Sequence, residues 1–467
     1  MLVEKHKPVN LLALVALVPL KWDKILDCLD RLLDEDPLFQ AVKADLARRY
    51  RHTLTRGRHS TPVEVILRML VVKHLYRWSY EQTETFVADS IILRQFCRVY
   101  WQKVPDDTVL NRWANLLQPE TLHQLLAHVS TMAHRLQVTR GRKLRTDGTV
   151  VESDIHLPTD SSLLADGVRV LGRTLGRARR VLQSAATDSV QVAQTLFRNR
   201  WRSARNTARE ISRAVQQTTQ EGKKRSVRLY RKLLGVTRAS VQQAQQVAAV
   251  LRQETTRQAD QLAKQIEHFV PLVEQVVRQA TRRVLQGESV PAQDKLVSLF
   301  EPHTDIIRRG KPGRTAEFGH KVWIDEVDGG IVSDYRVLDG NAPDQSQWLP
   351  SLERHQELFG RPPDQMSGDR GMYSRDNEAR AQVAGVRRVI LPQAGHRSAA
   401  RKQYEQQRWF RRGRRYHQGI EGRISALKRR YGLDRCRDHG ESGFERWVGW
   451  GIIAHNLLVI GSAVATR

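Results

Sequence analysis

Asp147, Asp369 and Glu421 are the acids whose settings in this chain suggest chemistry. Asp147 lies in Leu144-Arg145-Thr146-Asp147-Gly148-Thr149-Val150-Val151, a β-branched run that predicts a strand delivering a carboxylate to its edge. Asp369 ends another short segment as Asp-x-Gly, in Gly368-Asp369-Arg370-Gly371-Met372-Tyr373. Glu421 falls on a predicted cation-rich helix running from Tyr416 to Lys428. Three carboxylates meeting at one site can hold a pair of hard divalent cations, Mg²⁺ or Mn²⁺. Such a pair assists in-line displacement at a phosphodiester. Arg145, Arg370, Arg423 and Lys428 are close by in sequence, as a polyanion approaching acids requires. Lys428 stands seven residues, about two helical turns, beyond Glu421, where an ammonium on the same face can contact a phosphate.

Taken singly these residues are ordinary. An aspartate at a strand end commonly caps a turn, and glutamate is a common helix-surface residue. Asp325, Asp328 and Asp334 fit a hairpin. Glu152, Asp154, His156 and Asp160 have mixed spacing with Pro158 among them, which matches loop hydrogen bonding better than a ligand face. His320 and His417 are open to structural or phosphate-contacting roles.

The order of the motifs is more telling. Asp147-Gly148-Thr149, Phe318-Gly319-His320-Lys321-Val322, Gly368 to Tyr373 and the Glu421 to Lys428 helix, with the N-terminal helical region, resemble the DDE transposases of bacterial insertion sequences, in particular the ISNCY branch. The resemblance covers most of the chain outside residues 165–300. It implies an RNase H-like catalytic domain, two Mg²⁺ or Mn²⁺ ions on Asp147, Asp369 and Glu421, cleavage at element ends and strand transfer into target DNA. Many relatives carry tyrosine and arginine seven and four residues before the glutamate; here Arg414 and His417 stand there, while Lys428 matches. Transposon-end contacts would then be shared among Arg414, Arg415 and their neighbours. The other functions this pattern admits are a domesticated DNA-binding protein that does not cut and a structure-specific nuclease of the same fold.

The elements that must position these residues are legible in outline. Residues 1–140 read as helical: Thr61-Pro62-Val63-Glu64 predicts a capping box with proline at the first helical position, Ser79-Tyr80-Glu81-Gln82 another, and Asp106 caps a helix from Val109 to Leu117 carrying Arg112. Successive short helices with Arg112 on one of them suit a DNA-binding or dimerisation region, and equally a packed bundle in which Arg112 and Trp113 are merely surface and core. Residues 141–164 and 301–467 then give strand, hairpin across Asp328-Gly329-Gly330, helix, strand, helix, strand, helix, the order of an α/β RNase H-like mixed sheet. Between its first two strands lies a basic helical insertion, residues 165–300, read as an antiparallel hairpin or arm with breaks near Gly222 and Gly235.

Composition sets the partner. The 467 residues carry a formal net charge of +27, and residues 165–300 hold 25 Lys and Arg against 10 Asp and Glu, about half of that excess. Such a surface binds polyanions by counterion release, so nucleic acid is the first partner to consider, against a ribosome-associated or simply well-solvated basic protein. The resemblance implies double-stranded DNA, transposon ends and target, held by a homodimer or larger assembly since synapsis needs two ends. Cys28, Cys97 and Cys436 are isolated, which fits a reducing cytoplasm. Leu11 to Leu20 lacks the small-residue cleavage site of a signal peptide. Trp447 to Ala465 approaches membrane-span length but contains Gly449, Gly451, His455, Asn456 and Ser462, and reads as a buried terminal helix with no membrane partner. No Gly-x-x-x-x-Gly-Lys-Ser/Thr occurs, so nucleotide hydrolysis has no support.

Overall fold

A computed structural model describes residues 2–7, 9–10, 23–56, 59–184, 198–308 and 316–467; the Leu11 to Leu20 stretch lies outside them. In chain order the elements are α1 (Lys24–Leu33), α2 (Asp36–Ala47), α3 (Val63–Tyr76), α4 (Tyr80–Asp89), α5 (Ile91–Phe96), α6 (Asp107–Ala114), α7 (Pro119–Arg135), β1 (Lys143–Glu152), α8 (Asp160–Ser184), α9 (Trp201–Gln216), α10 (Gln220–Leu251) and α11 (Arg257–Ala280). There follow β2 (Asp305–Ile307), β3 (Glu317–Val327), β4 (Val332–Leu338), α12 (Trp348–Phe359), β5 (Gln365–Ser367), α13 (Arg375–Val383), β6 (Arg388–Ile390), α14 (Ala399–Gln406), α15 (Arg408–Tyr431) and α16 (Glu441–Ala465). These fall into two units, one of Met1–Asp154 with Gly319–Arg467 and one of Ile155–Phe318.

The first unit is mixed α/β. Its strands run β4-β3-β1-β5-β6, with β3 antiparallel to β1 and β4, and β5 parallel to β1 and β6. Nine consecutive residues of β3, Gly319 to Val327, are buried, as a central strand covered on both faces must be. The expected hairpin turns through Asp328–Gly330, where Gly329 (φ 82°) and Gly330 (φ 78°) take left-handed conformations. α15 lies across β1, β5 and β6. Glycine at 413 allows this, since a Cβ there would stand 2.4 Å from the Ile390 side chain on β6.

The N-terminal helices belong to the same hydrophobic core as the sheet. α3 is buried from Val63 through His74, and Arg68 inside it is held by Asp30, Asp34, Glu64 and the Phe96 carbonyl. α16 packs against α1, α3 and α7. Its Asn456 is fully buried, donating to the Val332 carbonyl at 2.7 Å and accepting from the Val332 amide at 3.0 Å. α16 is long and apolar enough to cross a membrane by composition; in this fold its apolar surface covers the core.

Three helix starts differ in kind. Ser79 and Gln82 form the expected reciprocal box, and Asp106 accepts from the Val109 amide at 2.8 Å. Thr61 does not cap α3. The helix begins at Val63 with Pro62 as its cap, and the Val63 and Glu64 amides bond instead to the carbonyls of Val3 and Glu4 at 3.0 and 3.3 Å.

Among the described residues the second unit has four α-helices, α8 to α11, around a core of its own, with α10 packed on α8, α9 and α11. It is wider at both ends than the compositional shift at 165 and 300. It is not the expected hairpin. The expected break near Gly222 is present, between Gln216 and Gln220, whereas α10 runs unbroken through Gly235. A glycine inside a helix costs about 1 kcal/mol. Burial of Leu229, Leu233, Val241, Val247 and Leu251 along one stripe outweighs that, and the next turn comes after Arg252.

Candidate functional site

β1 and β5 are parallel neighbours with Arg145 opposite Ser367. Asp147 follows two residues further along β1, and Asp369 two residues beyond the end of β5, where the chain has left the strand. Asp147 is half-buried, pairs in register with Ile324, and accepts from the Gly148 amide at 2.7 Å. Asp369 caps the turn after β5, accepting from the Gly371 amide at 2.8 Å. Burial pushes its carboxyl above the usual range, with Asp344 adding to the rise, against the opposing pull of backbone donors and Lys321.

Lys321 of β3 connects these positions. Its ammonium pairs with Asp344 and donates to the Ala342 carbonyl at 2.6 Å. Its Cε would lie 3.0 Å from a Cβ added at Gly148, beside Asp147. Lys321 and Asp344 are thus part of the acid cluster around Asp369. Lys321 was within the family-like Phe318 to Val322 segment, whereas nothing in the sequence marked Asp344.

Glu421 is exposed on α15. That helix is held to the sheet on either side of it. N-terminally, Arg145 donates to the Tyr416 carbonyl at 2.6 Å and stacks on the Tyr416 ring at 4.7 Å; C-terminally, Lys428 donates to the Val150 carbonyl at 2.6 Å. Glu326 of β3, fully buried, takes Arg145 in a two-pronged pair (2.8 and 2.7 Å) and Arg423 at 3.1 Å. The expectation that Arg423 and Lys428 serve DNA therefore meets residues already engaged in docking α15. Arg112, Arg370 and Arg415 are exposed, and Arg414 is half-buried. Burial, with Arg145 nearby, lowers His417 to about 4, so its imidazole is neutral at physiological pH.

The hairpin acids have structural partners. Asp325 accepts from Thr146 at 2.5 Å and pairs with Arg336. Burial raises it, and burial together with Asp325 raises Asp334. Burial would also raise Asp328, but the amides of Arg140, Arg142 and Lys143 donate to it and bring its carboxyl below the usual range. Glu152 and Asp154 pair with Arg435; in the second unit His156 pairs with Asp166, and Asp160 with Arg283.

The donor chemistry of Asp147, Asp369 and Glu421 fits a hard divalent cation. As placed, no group of three or more His, Cys, Asp or Glu is gathered for one metal ion among the described residues.

Residues 14–116 match the family model described as Transposase domain (DUF772). The match supports a transposase family. α1 to α6 all lie inside this transposase-like stretch, including the Ser79 and Asp106 caps and the exposed Arg112. No curated protein and no solved structure matches the chain.

Proposed function

We propose that the chain is a DNA transposase of the DDE type, ISNCY-like, with an RNase H-like catalytic sheet, that cuts at the ends of an insertion sequence and joins the freed 3′-hydroxyl to target DNA. The observation that carries this reading is that β1, which bears Asp147, and β5, which leads directly into Asp369, are adjacent parallel strands with the Glu421 helix packed on both, in a chain whose N-terminal helices match a transposase domain. The strand order β4-β3-β1-β5-β6 and the placement of a helical unit between the first two strands of the sheet support the RNase H-like part.

Asp147, Asp369 and Glu421 would hold Mg²⁺ or Mn²⁺, which supplies phosphate polarisation and an activated hydroxyl or water. The chain's own residues do the rest. Glu326 fixes Arg145 and Arg423 beneath the approach to the acids, and Lys428 sets the height of Glu421 over β1. Arg370, Arg414 and Arg415 are placed outward for phosphates of the bound DNA. The helices of the second unit carry about half of the net positive charge and hold the duplex with little regard to sequence. Arg112 on α6 is the groove contact, and two copies of the chain bring two ends together.

The dispersed acids favour one other reading, a DNA-binding protein that does not cut. The test is incubation of the full chain with Mg²⁺ and duplexes carrying the inverted repeats that flank its coding region. Nicking that leaves a 3′-hydroxyl, followed by joining to a second duplex, supports the transposase. Tight, repeat-specific binding with no nicking in either Mg²⁺ or Mn²⁺ supports the non-cutting reading instead.

A further inference from the structure

Arg283, Lys295 and Arg308 converge on a cavity of about 460 Å³ inside the second unit, walled on its apolar side by Leu163, Ile306 and Phe318. Its one acid, Asp160, is already engaged: Oδ2 accepts from Arg283 at 2.8 Å and Oδ1 from the Gln279 amide at 3.1 Å. Gln279 is itself fixed by the Leu296 main chain, donating to its carbonyl at 3.1 Å and accepting from its amide at 2.9 Å. The frame is therefore set before any ligand arrives. Lys295 and Arg308 have no carboxylate partner among the described residues, so the lining keeps a local excess of two positive charges.

Two further observations bear on this cavity. Arg283 sits on a π-turn, Thr281–Leu285, that closes α11; such turns are frequent at functional sites. Burial, and then the two guanidiniums, hold the Lys295 ammonium below its usual range. Like charges gathered in a partly desolvated place are unfavourable unless an anion completes the set. A phosphate supplies one negative charge as a diester and up to two as a monoester, with several acceptors, and arginine forks match its oxygens in pairs.

We propose that this cavity is a phosphate-binding site, in which Arg283, Lys295 and Arg308 take a phosphate group of a nucleic-acid strand or of a small phosphorylated compound. The proposal does not rest on strand cleavage, and its test uses the full chain without any catalytic assay. Pyrophosphate and inorganic phosphate are titrated by calorimetry into the wild type and into the Lys295→Gln/Arg308→Gln pair, with thermal melting to verify folding. Saturable binding that weakens about tenfold or more in the glutamine pair, and returns with the charge-retaining Lys295→Arg/Arg308→Lys pair, is the expected result. Arg308→Gln alone, at an exposed position, gives the same direction should the pair fail to fold. Displacement of pyrophosphate by a short duplex assigns the site to nucleic acid, and binding that the duplex leaves untouched assigns it to a small phosphorylated compound. Equal affinity in wild type and glutamine variants, or no saturable binding at all, overturns the proposal.

Discussion

Lys428 on α15 donates to the main-chain carbonyl of Val150 on β1 at 2.6 Å. A charged donor on a carbonyl is worth about 1.5–3 kcal/mol. Lys428→Met, which keeps the stem and removes the ammonium, is therefore expected to lower unfolding free energy in urea by about 2 kcal/mol. A lysine that only met DNA phosphate would leave the urea midpoint where it was and change the salt dependence of binding.

Asp147→Asn, Asp369→Asn and Glu421→Gln each remove one negative charge at nearly constant size. Each is expected to abolish Mg²⁺-dependent nicking while DNA affinity stays within a few-fold of wild type, and pairs of these changes should cost no more than one, since metal ligands act as a unit. Wild-type nicking by any single variant removes that residue from the site.

The raised carboxyl of Asp369 gives a pH signature. A carboxyl with an elevated pKa takes up its proton at a higher pH than an ordinary aspartate, so a site that needs it charged loses cation affinity, and nicking, earlier on acidification. Asp344 is a like charge contributing to that rise. Asp344→Asn should then shift the acidic limb of the pH–rate profile to lower pH; a shift the other way, or none, would mean that Asp369 does not set the limb. This variant also frees Lys321 from its ion pair, so the profile is compared at matched thermal stability.

What was legible in the sequence is what local physics controls. The Ser79–Gln82 box, the Asp106 cap and the Asp328-Gly329-Gly330 turn depend on neighbours a few residues apart, and all three form. Failures came where distant chain decides. The α3 start is satisfied by Val3 and Glu4, far from Thr61 in sequence. Gly235 does not break α10, because the buried stripe from Leu229 to Leu251 packs on neighbouring helices, whereas the break near Gly222 forms, with a Cβ there meeting the Gln217 carbonyl oxygen at 2.7 Å. At the site, Asp147 and Asp369 could be singled out by their place in an ordered set of family-like motifs, while Glu326 looked like any strand glutamate until Arg145 and Arg423 closed on it. Glu326→Gln leaves those two cations short of a charge in a buried place and should cost about 3–5 kcal/mol in urea unfolding. A cost below about 1 kcal/mol would mean that water or another acid replaces it.

The cations of the second unit are distributed unevenly. On α10, Lys224, Arg228, Arg231 and Arg238 recur at helical spacing on the exposed side over about 21 Å, whereas acids near α11 pair locally, Asp260 with Arg252 and Lys264, and Glu267 with Arg252. An unbroken α10 makes this stripe straight. Neutralising Lys224, Arg228 and Arg231 to glutamine should flatten the slope of log affinity against log salt by about 2.7 if each meets one phosphate. An unchanged slope in a folded variant would reassign the stripe to protein contacts.

End recognition by a fragment of residues 1–140 is a natural expectation from sequence, but the packing of α16 argues that such a fragment is unstable. α16 lies against α1, α3 and α7 and shares their core. The approach is close: a Cβ at Gly449 would stand 2.9 Å from the Leu122 side chain and 2.5 Å from the Tyr335 hydroxyl. Leu122 beside Gly449 and Leu29 beside Gly461 lose that cover when α16 is absent, and each such side chain is worth about 1.5–3 kcal/mol. A 1–140 fragment is therefore expected to bind a hydrophobic dye, to melt without cooperativity and to show no repeat preference for want of a fold. The same region tested within the full chain, with Arg112→Ala, should lose discrimination between repeat and scrambled duplex at a salt concentration that suppresses phosphate binding, while the thermal midpoint stays unchanged. A fragment that melts cooperatively on its own would sink the packing argument; undiminished discrimination by Arg112→Ala would move base reading away from α6.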